Sequence, residues 1–297
     1  MIKPNDYKQG DSKWGSLPYA VDGETSTIKS AGCGPTAMAD VLAAVVSEYI
    51  DPITCAAWAR QHGFKVYKSG TSYNFPAAIG KEYGLVVERM NVSTIYGNTK
   101  SNYHEIAKKH LQNGHWLIAC MGPGNWTKSG HYVVAYNYDE KDQTVDIMDP
   151  ASSAAGRTHN KWSLFSSQVK YYWSVYLPER FKTTGIRMTD DAYRQEDYVR
   201  EVQMCCRAGL DGVAGNQTLS KTITVSSTKN RNHPVVIPLQ KYLQKNTGLY
   251  NGKIDGVAGP KFDAAMKEYQ RSVVKLSKPD GEATAKGKTW RCLLGIK

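Results

Sequence analysis

The segment Gly32-Cys33-Gly34-Pro35-Thr36 puts a cysteine where a helix is expected to begin. A thiol there meets the positive end of the helix dipole and amide N–H groups without intrahelical partners. Both stabilise the thiolate and lower its pKa. Such a thiolate suits acyl transfer, and its own backbone N–H can face the oxyanion formed on the attacked carbonyl. The flanking glycines are expected to let that carbonyl approach closely. A buried cysteine capping a helix would look the same in isolation, so the partners decide. Gly130-His131 opens a strand-like run, Tyr132 to Tyr136, which would fix an imidazole on a rigid element. Asp149-Pro150 closes the next such run, and antiparallel pairing would set its carboxylate beside His131. Cys, then His roughly a hundred residues on, then Asp is an order that thiol hydrolases use. Asp146 is a second carboxylate on the same strand face, expected mid-strand rather than at a site's mouth. His62, His104, His110, His115, His159 and His233 lack metal-ligand spacing, so surface or loop roles are expected and no metal.

The positioning elements follow from periodicity. Apolar residues three and four apart predict a helix from Pro35 through Val46, with further helices over Pro52–Gln61 and about Tyr103–Gln112, the last stopped by Gly114. Strand-like runs cover Trp116–Met121, Tyr132–Tyr136, Thr144–Met148 and Tyr171–Tyr176, separated by turn-rich segments. Helices first and an antiparallel sheet afterwards read as α+β.

The chain has 297 residues, a length that suits two domains, and its 41% hydrophobic content argues against disorder. The net charge of +11 is unevenly placed. Residues 1–180 carry 18 Lys+Arg and 16 Asp+Glu, whereas residues 181–297 carry 20 and 11, so the basicity belongs to the C-terminal third. Six of seven tryptophans lie in the near-neutral part, which fits two domains with different tasks. We therefore expect a domain over 1–180, a linker at 181–190 and a second domain over 191–297. A basic module implies a polyanionic partner. No apolar run is long enough to span a membrane, and Met1 to Asp6 show no signal-peptide core. The six cysteines form no CxxC pair, so reduced thiols are expected.

The C-terminal third contains a repeat. Asp211-Gly212-Val213-Ala214-Gly215 recurs 44 residues later as Asp255-Gly256-Val257-Ala258-Gly259. A helical stretch precedes each copy, Val199–Cys206 and Val236–Gln244, and Phe262–Gln270 follows the second. The first copy runs into β-branched Thr222 to Val225 and is expected to lack its second helix. Each Asp-Gly loop reads as a helix-ending turn whose aspartate bonds its own backbone. No reading helix or aromatic stacking platform accompanies the basic residues, so nucleic acid is not the expected partner.

Tyr7 to Gly15, Thr27 to Ala39, Gly70-Thr71-Ser72, Gly122-Pro123-Gly124-Asn125-Trp126-Thr127, Gly130-His131-Tyr132 and Asp149-Pro150 resemble, in this order, cysteine peptidases related to the bacteriocin-leader (double-glycine) peptidases, a papain-like clan. The resemblance covers nearly all of residues 1–180. It implies a papain-like α+β fold, Cys33 as nucleophile, His131 as base and Asp149 as its orienter, with no cofactor. It also implies that the Gln9 amide completes the oxyanion hole, and Trp126 is expected to contact substrate. Leader peptidases proper are joined to membrane transporters, and no such segment occurs in this sequence. The repeat region, from Val236 to Gln270, resembles the peptidoglycan-binding helical repeat, which implies wall contacts at Asp255, Gly256 and Gly259. The expected function is a peptidoglycan hydrolase of the phage endolysin kind, made in the host cytoplasm without a signal peptide and released through a holin. It would cut an amide bond as an endopeptidase or an amidase. A non-catalytic wall-binding adaptor and a peptidase of protein substrates are the alternatives.

Overall fold

The computed structural model describes residues 1–90, 100–178 and 193–296, and the expected linker lies outside them. The chain divides into two compact units, Met1–Asp11 with Tyr19–Asp191, and Ser12–Pro18 with Ala192–Lys297.

In the first unit, α1 (Ile28–Ala31) leads directly into α2 (Cys33–Val45), followed by α3 (Pro52–Gln61) and α4 (Phe75–Glu82). Asp51 caps α3 by accepting from the backbone of Ile53 and Thr54 at 2.8 and 3.1 Å. After β1 (Val86–Arg89) and α5 (Lys100–Gln112) come β2 (Trp116–Met121), β3 (His131–Asp139) and β4 (Thr144–Met148). The short α6 (Ala155–Thr158), β5 (His159–Lys161), α7 (Trp162–Ser167) and β6 (Val169–Tyr176) complete the unit. The strands form one antiparallel sheet in the order β1-β6-β2-β3-β4-β5. The fold is α+β, as its order of helices and strands implies.

All six residues of β2 are buried, which explains an apolar run with no alternation: the strand is covered on both faces. Leu117, Ala119 and Met121 point to a core shared with Tyr103, Ala107 and Leu111 of α5 and with Trp162 and Phe165. On the other face the sheet meets α2, which packs on β3 and against α3. This layering fixes the register that matters. Met121 pairs with His131, and Val134 with Met148, so the end of β4 returns beside the start of β3.

The second unit is helical. Its helices are Gln195–Cys205, Asn216–Lys221, Val236–Lys245, Pro260–Tyr269 with a π-helical turn over Gln270–Val274, and Lys288–Leu293. The first repeat copy does have a second helix, the six residues Asn216–Lys221, contrary to expectation. The β-branched run that follows is used otherwise, with Val225 in an antiparallel bridge to Ala283. There is also a third copy. Buried Gln203, Gln240 and Gln270 each grip one Asp-Gly loop, donating to Asp211, Asp255 and Asp280 at 2.6, 2.8 and 2.7 Å. Each also accepts from the following glycine amide, Gly212, Gly256 or Gly281, at 3.0, 2.9 and 2.8 Å. All three glycines have positive φ, between 71° and 78°, a conformation that costs other residues about 1 kcal/mol or more.

Candidate active site

Cys33 is the first residue of α2, with Gly32 at the N-cap, so its thiol sits at the helix's positive end as expected. The flanking glycines serve packing rather than substrate approach. A Cβ on Gly32 would lie 2.6 Å from the Ile28 carbonyl, and one on Gly34 would lie 2.9 Å from the Thr71 side chain. His131, at the first position of β3, is 7% exposed. Its Nε2 is 2.7 Å from Oδ1 of fully buried Asp149, which follows β4 directly. That leaves Nδ1 to meet the thiol of Cys33.

The electrostatics favour an ion pair. Burial opposes ionisation of Cys33, but the hydrogen bond and charge of His131, with the amides of Tyr132 and Gly34, bring the thiol below its ordinary range. Burial likewise opposes a charged His131, and Asp149 together with Cys33 overcomes it, lifting the imidazolium to about 9. Burial of Asp149 would raise its carboxyl, yet His131 and Arg157 hold it below the usual range. Cys120 lines the same cleft but behaves oppositely, pushed up to about 11 by burial and by the charge of Cys33. One cleft thus holds one activated thiol and one inert thiol.

The cleft has a volume of about 1360 Å³, and Cys33, His131, Thr71, Tyr73, Ser129 and Lys170 are among its lining residues. Its rim loop is anchored by Lys65, which pairs with Glu24 at 2.5 Å with both side chains almost fully buried. The same ammonium caps the carbonyls of Val66 and Ser69 at 2.7 and 2.9 Å.

Gln9 lies on an N-terminal segment stitched to both halves of the site. Its backbone N–H donates to Pro150 at 2.9 Å, and its Nε2 donates to the Lys29 carbonyl of α1 at 2.6 Å. The second Nε2 hydrogen is not used by that bond. Neighbouring Lys8 donates to the Asp149 carbonyl at 2.9 Å. The Tyr7 amide donates to Asp40 of α2 at 2.7 Å.

Cys33, His131 and Asp149 are therefore brought together. Asp146 is engaged elsewhere, by His159 at 2.7 Å and Asn137 at 2.6 Å. Trp126 is 2% exposed, with Nε1 donating to the Arg157 carbonyl at 2.9 Å and its ring edge-on to Phe165. Both the indole N–H and the ring of this residue, expected to contact substrate, are engaged within the fold. Asp255 accepts from Val257 at 2.9 Å as well as from Gln240, so its loop is a turn of the expected kind. Gly259 caps helix Pro260–Tyr269, and a Cβ there would meet open space. Arg157, Lys8 and Asp40 went unnoticed in the sequence. Neither type nor spacing marks them, and each acts through a contact made only when distant segments converge. Among the described residues no group of three or more His, Cys, Asp or Glu could hold a metal ion. No helix among them is long and apolar enough to cross a membrane.

Residues 232–291 match a family described as "Putative peptidoglycan binding domain". A solved structure of the peptidase domain of Streptococcus ComA, a bifunctional ABC transporter involved in a quorum sensing pathway, is similar at 18% identity and a TM-score of 0.35. That match covers 55% of this chain and 98% of that one. No curated protein matches the chain. Residues 14–176, more than half of the length, match the family described as Peptidase_C39 like, and the chain belongs to that family.

Proposed function

We propose that this protein is a peptidoglycan hydrolase in which Cys33, His131 and Asp149 cut an amide bond of wall peptides. The observation that carries the reading is the line from Asp149 through His131 to a thiol at a helix N-terminus, in a chain that also matches a wall-binding family. The Cys33 thiolate attacks the amide carbon, and the carbonyl oxygen becomes an oxyanion. The Cys33 backbone N–H and the free Nε2 hydrogen of Gln9 receive that charge. His131 Nδ1–H protonates the leaving amine as the C–N bond breaks, leaving a thioester on Cys33 and a neutral imidazole. The imidazole then removes a proton from water, whose oxygen attacks the thioester, and the C–S bond breaks to release the acid and restore the thiolate–imidazolium pair.

The basic C-terminal unit retains the enzyme on the anionic wall, and the reading extends to an endolysin that reaches the wall through a holin-made hole. Cys33→Ala should leave folding and binding to purified sacculi intact and stop the release of new termini from them. Mass spectrometry of those termini separates free amines within the stem or cross-bridge, made by an endopeptidase, from whole stems freed by an amidase. Wall digestion by Cys33→Ala near the wild-type rate would refute the reading.

A further inference from the structure

The segment Gly122–Thr127 has a conspicuous composition, yet it contributes no group to the proposed chemistry. Several of its contacts converge on Gly156 and Arg157. Arg157, on α6, directs Nε to Asp149 Oδ2 at 2.5 Å and Nη2 to the Trp126 carbonyl at 2.8 Å. Trp126 returns its indole N–H to the Arg157 carbonyl at 2.9 Å, and Asn125 Nδ2 donates to the Gly156 carbonyl at 2.6 Å. Asn125 is itself held, its amide donating to Gln168 at 2.6 Å. The Asp149 carboxylate is thereby used on both sides. Oδ1 faces His131 and accepts from the Ala151 amide at 2.8 Å, while Oδ2 belongs to the guanidinium.

A carboxylate with one free oxygen can turn about its terminal bond, and the imidazole it orients then loses its alignment. A guanidinium fork resists that turning because its N–H groups lie in a fixed plane. We propose that Arg157, clamped by Trp126 and flanked by the Asn125–Gly156 bond, is a positioning residue that locks the Asp149 carboxylate so that one oxygen always faces His131. This rests on the hydrolase reading above. It also gives the Gly122–Thr127 segment a purpose, to build the seat of the clamp. Arg157 acts only through Asp149, so its loss should alter kcat and the protonation of His131 rather than substrate affinity.

The test uses the whole chain as wild type, Arg157→Gln, Arg157→Lys and Trp126→Phe. Two profiles are measured against pH: carboxamidomethylation of Cys33 by iodoacetamide, quantified at that residue by mass spectrometry, and hydrolysis of a soluble wall peptide. Arg157→Gln should lower kcat on the order of 10- to 100-fold, the scale of losing a group that orients a reacting residue, with KM little changed. The alkaline limb of kcat should move down from about 9 towards the ordinary histidine range. Arg157→Lys, which keeps the charge but not the fork, should recover part of both effects. Trp126→Phe removes one donor while keeping the apolar body, and should shift the limb the same way by less. Should Arg157→Gln fail to fold, Arg157→Lys and Trp126→Phe carry the test. An unmoved limb, whatever happens to kcat, or one that moves upward, overturns the proposal. If wild-type Cys33 shows no thiolate reactivity below the ordinary thiol range, the hydrolase reading falls and the proposal with it. If wild type shows that reactivity and the variants superimpose on it, the proposal alone falls.

Discussion

The substitution Asp149→Asn probes the centre of the site, because it keeps shape while removing charge. Lifting His131 from 6.5 to about 9 corresponds to about 3 kcal/mol of preference for the imidazolium, achieved against burial. The hydrogen bond that His131 donates to Asp149 is the largest favourable contribution, followed by the bond and charge of Cys33 and the charge of Asp149. The carboxamide of the variant would also meet Arg157, a pure donor, which claims the amide oxygen and turns the NH2 group towards His131 Nε2. Nε2 must then accept, so the neutral imidazole carries its proton on Nδ1, facing Cys33, where it cannot take the thiol proton. Losing between half and all of the 3 kcal/mol predicts that kcat/KM at neutral pH falls about 10- to 140-fold, at about 1.4 kcal/mol per tenfold. The alkaline limb should move from about 9 towards 6.5, in wall-peptide hydrolysis followed from pH 5 to 10. Cys33 alkylation below the ordinary thiol range should slow in parallel, a readout that needs no substrate. A variant with the wild-type limb and nearly unchanged kcat/KM would refute the account of how His131 is charged.

Three further outcomes follow from other parts of the molecule. Burial raises the Asp40 carboxyl well above its ordinary range, so the folded state holds a proton that the unfolded chain releases, and stability falls as pH rises from 3.8 through the folded value. Asp40→Asn should flatten that dependence and raise the urea midpoint at pH 7.5, provided the Tyr7 amide keeps its acceptor. Gln240→Leu orphans the buried Gly256 amide and should cost about 1–3 kcal/mol, seen as faster hydrogen exchange across Val236–Lys245 with the first unit unchanged. Raising ionic strength from 0.1 to 1 M shortens the screening length from about 10 to about 3 Å, so binding to sacculi should weaken more than cleavage of a small peptide slows.

The sheet was legible where burial is two-sided or turns are explicit. β2, β4 and α3 occupy the residues that periodicity assigns, because an apolar run ending in glycine or an Asp-Pro start leaves few alternatives. α4 escaped because it contains a glycine, Gly80, required by packing: a Cβ there would lie 2.1 Å from the Val87 side chain. β1, four half-exposed or exposed residues at the sheet edge, has no apolar pattern to find. The third Asp-Gly loop was hidden by spacing. Asp lies 8 residues after its glutamine in the first copy, 15 in the second and 10 in the third, so only contact geometry aligns them. The site was legible through Cys33 and His131, whose elements are local. The roles of Arg157 and Trp126 were not, since α6 and the Gly122–Thr127 segment meet only once β3 and β4 have paired.

The charged site has a further consequence for stability. In the unfolded chain His131 loses its proton near 6.5 and Cys33 near 9, whereas in the folded protein the order is reversed. Over the interval above 6.5 in which folded Cys33 is already ionised, up to about 9, each state holds one proton, on the thiol when unfolded and on the imidazole when folded. The raised histidine alone would make stability fall across this interval, the lowered cysteine alone would make it rise, and the two slopes cancel. Within that interval the pair is zwitterionic without tying the fold to pH. As pH falls through the folded thiol's own lowered range, Cys33 regains its proton and the charged pair is lost. The limit is set by the same Asp149–His131 bond on which the proposed mechanism relies, because whatever lowers the imidazolium's stability also draws Cys33 back towards an ordinary thiol.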